Sequence, residues 1–123
     1  MHVWIKGHDR RMNESVRAFV EARVVSTLSR VSKRVRAIQV SIQDVNGPRG
    51  GLDHLIRIVV HLRAGGRITV LQRAHDVRGA IPVALKRAVR EVVSELQRRR
   101  TNRRNAHRRN LRGHSGGNAR FTI

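Results

Sequence analysis

The amino-acid sequence predicts an α+β domain of order β-α-β-β-β-α, a four-stranded sheet with two helices on one face. Three observations carry this. Two stretches repeat their apolar residues at helical spacing, and four shorter ones read as strands. The last three strands are separated by short glycine-rich turns, which makes them an antiparallel meander. The first strand is separated from the rest by a helix, and a strand reached by such a right-handed crossover lies parallel to its neighbour.

The elements follow in order. Val3-Trp4-Ile5 reads as a short strand ended by Gly7. Asn13 is a candidate N-cap, with Glu14 well placed for the helix dipole. Val16, Phe19, Val20, Val24, Leu28 and Val31 then form an apolar stripe, so the first helix runs from about residue 14 to about 31. Ile38, Val40 and Ile42 alternate with Gln39, Ser41 and Gln43, the pattern of a half-buried strand. Asn46-Gly47-Pro48-Arg49-Gly50-Gly51 is dense turn chemistry. Ile56, Ile58, Val60 and Leu62 mark a third strand, Gly65-Gly66 suits a tight hairpin, and Ile68 and Val70 begin a fourth strand that ends by Ala74. Asp76 is a candidate cap for the second helix, whose buried stripe is Ile81, Leu85, Ala88, Val89, Val92 and Leu96. Pro82 conflicts with a helix interior, where it removes a hydrogen bond at a cost of about 3 kcal/mol, and this implies a separate first turn or a kink.

Composition narrows the function classes. The 123 residues hold 27 Lys or Arg against 8 Asp or Glu, a net charge of +19. Only Lys6, Lys33 and Lys86 are lysine, and the rest of the basic residues are arginine, whose planar fork of donors fits phosphate. Such a balance points to a polyanion. Cysteine is absent, which excludes disulfides, cysteine nucleophiles and cysteine metal sites. No apolar run reaches the roughly 18–20 residues that span a bilayer, and the apolar start is too short for a signal peptide, so an intracellular, cytoplasmic protein is expected, with no membrane partner. The aromatics are Trp4, Phe19 and Phe121, too few for modules that read single-stranded bases on aromatic platforms.

Charge is unevenly placed. Residues 1–96 carry 18 basic and 8 acidic residues, and residues 97–123 carry nine arginines and no acid. The sequence therefore divides into an α+β domain over 1–100 and an arginine-rich tail over 101–123 with almost nothing to bury, expected to be disordered when free. On the second helix, Lys86, Arg87, Arg90 and Arg98 fall on the half opposite Leu85, together with Ser94 and Glu91, and this face runs on into Arg99 and Arg100. On the first helix Arg17, Arg23 and Arg30 flank the apolar stripe, and Lys33, Arg34 and Arg36 follow it. These runs read either as solvated helix faces or as a surface for structured RNA, and the one-sided excess favours the second.

No catalytic or metal set converges. His2, His8, His54, His61, His75, His107 and His114 show no paired zinc spacing, and His8-Asp9 and His75-Asp76 are merely neighbours in sequence. Asp44 and Asp53 flank the glycine-rich turn and read as turn residues bonding local backbone. Asn46–Gly51 lacks the lysine and the following helix of a phosphate-binding loop. No enzyme activity, cofactor, metal or small-molecule substrate is expected.

Three stretches carry a family resemblance. They are Ile5-Lys6-Gly7-His8 followed by Asn13-Glu14-Ser15-Val16-Arg17; Val40-Ser41-Ile42-Gln43-Asp44-Val45-Asn46-Gly47-Pro48-Arg49-Gly50-Gly51-Leu52-Asp53; and Asp76, Ala80-Ile81, Ala84, Lys86-Arg87 and Arg90. In order and spacing they resemble the ribosome hibernation promoting factors, also called ribosome-associated inhibitors or sigma-54 modulation proteins, over about residues 1–100. The resemblance implies a fold similar to a double-stranded-RNA-binding domain. It implies a non-enzymatic partner of the small ribosomal subunit that binds ribosomal RNA in the decoding channel and blocks the messenger and transfer RNA sites under stress or in stationary phase. It places RNA contacts at Arg17 and Arg23 on the first helix and at Arg87, Arg90 and Arg98 on the second. The chain departs from the pattern at Ser94, at Pro82 and in its arginine-rich tail, and at this length no second domain of the kind that pairs ribosomes is expected. Two alternatives stay open: a general double-stranded nucleic-acid-binding protein, and a regulator acting on a protein partner.

Overall fold

Alternation in the strands decides the two faces of the sheet. The computed structural model describes residues 1–7, 14–44 and 53–116. Four strands, β1 (His2–Gly7), β2 (Val35–Asp44), β3 (His54–Leu62) and β4 (Arg67–Ala74), form one sheet in the order β1-β2-β3-β4. β1 runs parallel to β2, while β2, β3 and β4 are antiparallel, as the connections require. Register aligns Ile5, Val40, Ile58 and Val70 across the four strands, and each is buried. Ile38 with Val60 and Ile42 with Ile56 extend the same face. Two helices, α1 (Glu14–Leu28) and α2 (Val77–Gly116), complete the expected order β-α-β-β-β-α.

The chain divides into two compact units, Met1–Val92 and Val93–Ile123. In the first, Val20, Val24 and Leu28 of α1 and Ile81, Ala84, Leu85, Ala88 and Val92 of α2 are wholly or almost wholly buried with the inward face of the sheet. Both helical stripes follow the expected spacing. Val92 is the last buried residue among those described, and the first unit ends there. Leu96, expected in the stripe, is only half-buried. Residues 101–116, expected as disordered chain, continue α2 as helix. The stretch from Gln97 to Leu111 contains no Gly or Pro, and arginine is among the better helix formers.

Local chemistry explains the remaining boundaries. α1 ends at Leu28, earlier than expected, and the chain tightens into a 3-10 helix over Ser29–Arg34 that buries Val31. Ser26, Ser29 and Ser32 each donate a side-chain hydrogen bond to the carbonyl three residues back, at 3.3, 3.1 and 3.0 Å. Serines spaced by three match the three-residue turn of that helix and compete with the α ladder. In the β3–β4 hairpin the Gly65 N–H donates to the Leu62 carbonyl at 3.1 Å, and the Leu62 N–H donates to the Gly66 carbonyl at 3.0 Å. Arg63 and Ala64 are thus the central turn residues, and Gly65, at φ +99°, supplies the left-handed step that returns the chain.

α2 opens where the Ala80 N–H meets the Asp76 carbonyl at 3.0 Å. The Asp76 carboxylate lies over the first turn, close enough that a Cβ on Gly79 would stand 2.9 Å from its Oδ2. Asp76 therefore occupies the expected cap position. Pro82 lies inside the helix, which continues on both sides of it, and the missing bond is the one to the Arg78 carbonyl. The expected cap Asn13 and the turn 46–51 lie outside the described residues.

Candidate nucleic-acid interface

The basic residues of the first unit fall into three groups according to what holds them. The first group is spent on the edges of the sheet. β1 and β4 are the edge strands, and among the described residues their outer carbonyls have no strand partner. The Arg17 guanidinium of α1 donates to the Ile5 carbonyl on β1 at 2.9 Å. Arg87 of α2 donates to the Leu71 carbonyl on β4 at 3.1 Å and to Gln72 Oε1 at 2.7 Å. Two of the sequence-nominated contacts are therefore also edge clamps, one from each helix. Periodicity shows which way such a side chain leaves the helix, but not that it reaches a strand edge.

The second group surrounds Phe19. Arg23 lies over its ring at 5.6 Å and Arg78 at 5.2 Å from the centroid. Arg78, at the start of α2, also donates to Ser15 Oγ at 2.7 Å. Phe19 was expected in the apolar stripe, but it is only half-buried. Ser15, Phe19 and Arg23 are each four residues apart, so they form one line along α1. Guanidinium groups on an aromatic face retain in-plane donors that can point at phosphate. Sequence reasoning missed Arg78. The available signal was the Ser15-Phe19-Arg23 line, which offers a hydroxyl and a ring to a cation from another element.

The third group is unengaged. Arg30, Lys33 and Arg34 project from the 3-10 helix, and Lys86 and Arg90 from α2, all exposed. Among the described residues the ion pairs are His75–Asp53 and the two made by Glu95, so none of these five is neutralised by a carboxylate. Lys86 and Arg90 are one turn apart, about 6 Å along the helix axis. Their charges face water, as a phosphate-binding surface requires.

In the second unit, Glu95 accepts from Arg98 at 2.8 Å and from Arg99 at 2.8 Å. The hydrogen bond from Arg99 holds the Glu95 carboxyl below its ordinary value, and the charges of Arg98 and Arg99 add to this against a partial loss of hydration. Arg100 and the arginines at 103, 104, 108 and 109 are exposed and face no carboxylate among the described residues.

Among the described residues no group of three His, Asp or Glu comes together to hold a metal ion, and no helix is long and apolar enough to cross a membrane. The Asp53 carboxylate stands 2.8 Å from His75 Nδ1 across the open end of the β3–β4 hairpin, and the turn it was read as closing lies outside the described residues.

No protein-family model matches this chain, and no curated protein does. Solved structures do match. A ribosomal subunit interface protein from Coxiella burnetii superposes with a TM-score of 0.59 at 13% identity, over 82% of this chain and 99% of that one. The N-terminal domain of Protein Y from Thermus thermophilus superposes with a TM-score of 0.55 at 19% identity, over 80% of this chain and 98% of that one. This chain therefore has the fold of the Coxiella ribosomal subunit interface protein and of the Thermus Protein Y N-terminal domain.

Proposed function

We propose that the protein is a ribosome-associated hibernation factor that binds ribosomal RNA of the small subunit. The observation that carries the reading is the match over nearly the whole length of a protein whose name places it at the ribosomal subunit interface. The motif resemblance over residues 1–100 and the unpaired cations on both helical elements support it. The mechanism is steric. A rigid α+β wedge is held by phosphate contacts from Arg23, Arg30, Lys33, Arg34, Lys86 and Arg90, with Arg17 and Arg87 bracing the sheet edges beside them. Arg98, Arg99 and Arg100 contribute phosphate contacts from the second unit. Lodged in the decoding channel, the wedge excludes messenger and transfer RNA and keeps idle ribosomes inactive under stress or in stationary phase. No bond is made or broken, so the protein acts as a ligand and not as an enzyme.

Co-sedimentation with purified small subunits at rising salt, with duplex RNA as competitor, tests the proposal. Saturation near one copy per subunit, surviving physiological salt and competitor, is the expected result. Unsaturable binding that competitor removes leaves a general duplex-binding protein, the reading that a net charge of +19 alone supports.

A further inference from the structure

Register fixes which side chains share the sheet face turned away from the core. Lys6 pairs with Ser41, Ser41 with Arg57 and Arg57 with Leu71, so these four cross the sheet in one row. Trp4 is two residues before Lys6 on β1 and Arg73 two after Leu71 on β4, so both stand on the same face. Trp4 is 57% exposed and Leu71 53% exposed. Lys6, Arg57 and Arg73 are exposed, and so is Arg67 farther along β4. Among the described positions of this face there is no Asp or Glu. Trp4 and Lys6 are about 7 Å apart along their strand, and Arg57 is two strands from Lys6, about 10 Å away.

This combination selects its ligand. An indole left half in water gains most from a flat ring laid on it, and a face whose ionised groups are all cations takes an anion. Polyphosphate offers the charge without the rings. A nucleic-acid duplex offers the charge with its base faces already stacked on one another. A single strand offers both. We propose that the open face of the sheet binds single-stranded RNA, with a base stacked on Trp4 and phosphates held by Lys6, Arg57 and Arg73. The sparse aromatic content argued against base stacking, but the fold places the one tryptophan on the surface among cations. This surface is separate from the helical cations that the proposed function uses.

Trp4 is the only tryptophan in the chain, so its emission reports on this face alone. The full chain is titrated with an unstructured uridylate 12-mer, with a duplex RNA of equal length and with inorganic polyphosphate. The expected result is saturable quenching by the single strand and little by the other two. Followed by the anisotropy of an end-labelled oligonucleotide, because these variants lack the tryptophan, Trp4→Ala lowers affinity for the single strand about tenfold or more, the usual weight of a base on an aromatic ring, while Trp4→Phe retains most of it. Neither variant changes duplex affinity, and melting curves show that both fold. Arg57→Ala with Arg73→Ala reduces the salt slope for the single strand by about 0.7 per contact. Lys86→Ala with Arg90→Ala weakens duplex binding and leaves Trp4 quenching intact, so failure of the helical surface is distinguishable from failure of this one. Unchanged single-strand affinity in Trp4→Ala, or equal quenching by polyphosphate, overturns the proposal. So does a shift of Trp4 emission with protein concentration alone, which would mark the face as a contact between copies.

Discussion

Arg87 and Arg90 are three residues apart on α2 and are held in different ways, so replacing each by alanine separates a bracing arginine from a binding one. Arg87 makes two hydrogen bonds to the β4 edge, at 3.1 and 2.7 Å, both in exposed surroundings. A bond of this kind nets about 0.5–1 kcal/mol after competition with water, so losing both makes Arg87→Ala cost about 1–2 kcal/mol. In a domain the size of the Met1–Val92 unit each kcal/mol moves Tm by about 4–8 °C, and a fall of about 4–16 °C is expected. Arg90 makes no such contact among the described residues, and Arg90→Ala stays within about 0.5 kcal/mol of the parent. On RNA the order reverses. Arg90→Ala lowers the slope of log affinity against log salt by about 0.7–0.9, and Arg87→Ala lowers it by less. Thermal melts followed by circular dichroism, paired with binding to small subunits at several salt concentrations, read both quantities. Equal Tm values for the two variants would refute the edge clamp. An unchanged salt slope in Arg90→Ala would remove α2 from the interface.

Two further predictions concern single positions. The Glu95 carboxyl is held below its ordinary 4.5 first by the Arg99 hydrogen bond, so its Cδ resonance should titrate below that value and return toward it in Arg99→Ala. Because the pKa is lowered in the folded form, this contribution to helix stability is present above the unfolded value and is lost as pH falls through the folded one, which Glu95→Gln should abolish. Gly65 sits at φ +99° with open space around a built Cβ, so Gly65→Ala costs about 1–2 kcal/mol from backbone conformation alone, while Gly65→Asn recovers part of it, as denaturant melts would show.

The fold was legible because burial leaves a period in the sequence. Ile38-Val40-Ile42 and Ile56-Ile58-Val60 alternate as residues on one buried face must, and the helical stripes recur as residues on a cylinder must. Events that depend on contacts between elements left no such trace. The end of α1 turns on three serines spaced by three, a pattern that competes locally with an otherwise continuous stripe. Charge placement was legible only as far as the cations' outward direction. Arg17 and Arg87 leave their helices as binding residues would, yet each meets an edge carbonyl that exists only once the sheet has formed. Phe19 reads as core from spacing, while Arg23 meets its ring from one turn along the same helix and Arg78 is placed over it by the packing of α2, distant in sequence. Trp4 has the alternation of a strand residue, and which of its two faces is buried is decided by its neighbours in register.

The division of arginine between the two units bears on specificity. In Met1–Val92 the cations belong to a rigid core, and several are oriented by a carbonyl, a hydroxyl or a ring, so their spacing is fixed before any ligand arrives. A ligand must match that spacing, and a ribosomal RNA surface and a plain duplex present it with different phosphate patterns. Residues 97–112 carry arginine with no acid, and neighbouring turns of that helix repel one another. Any polyanion relieves that repulsion, and whatever binds the helical form stabilises it, so under the proposed function this unit adds affinity without choosing between ligands. Discrimination therefore rests on the fixed cations of the first unit. Removing the ring-held charge at Arg23 should cost the ratio of ribosomal to duplex affinity, whereas removing charge beyond Arg100 should cost both affinities together.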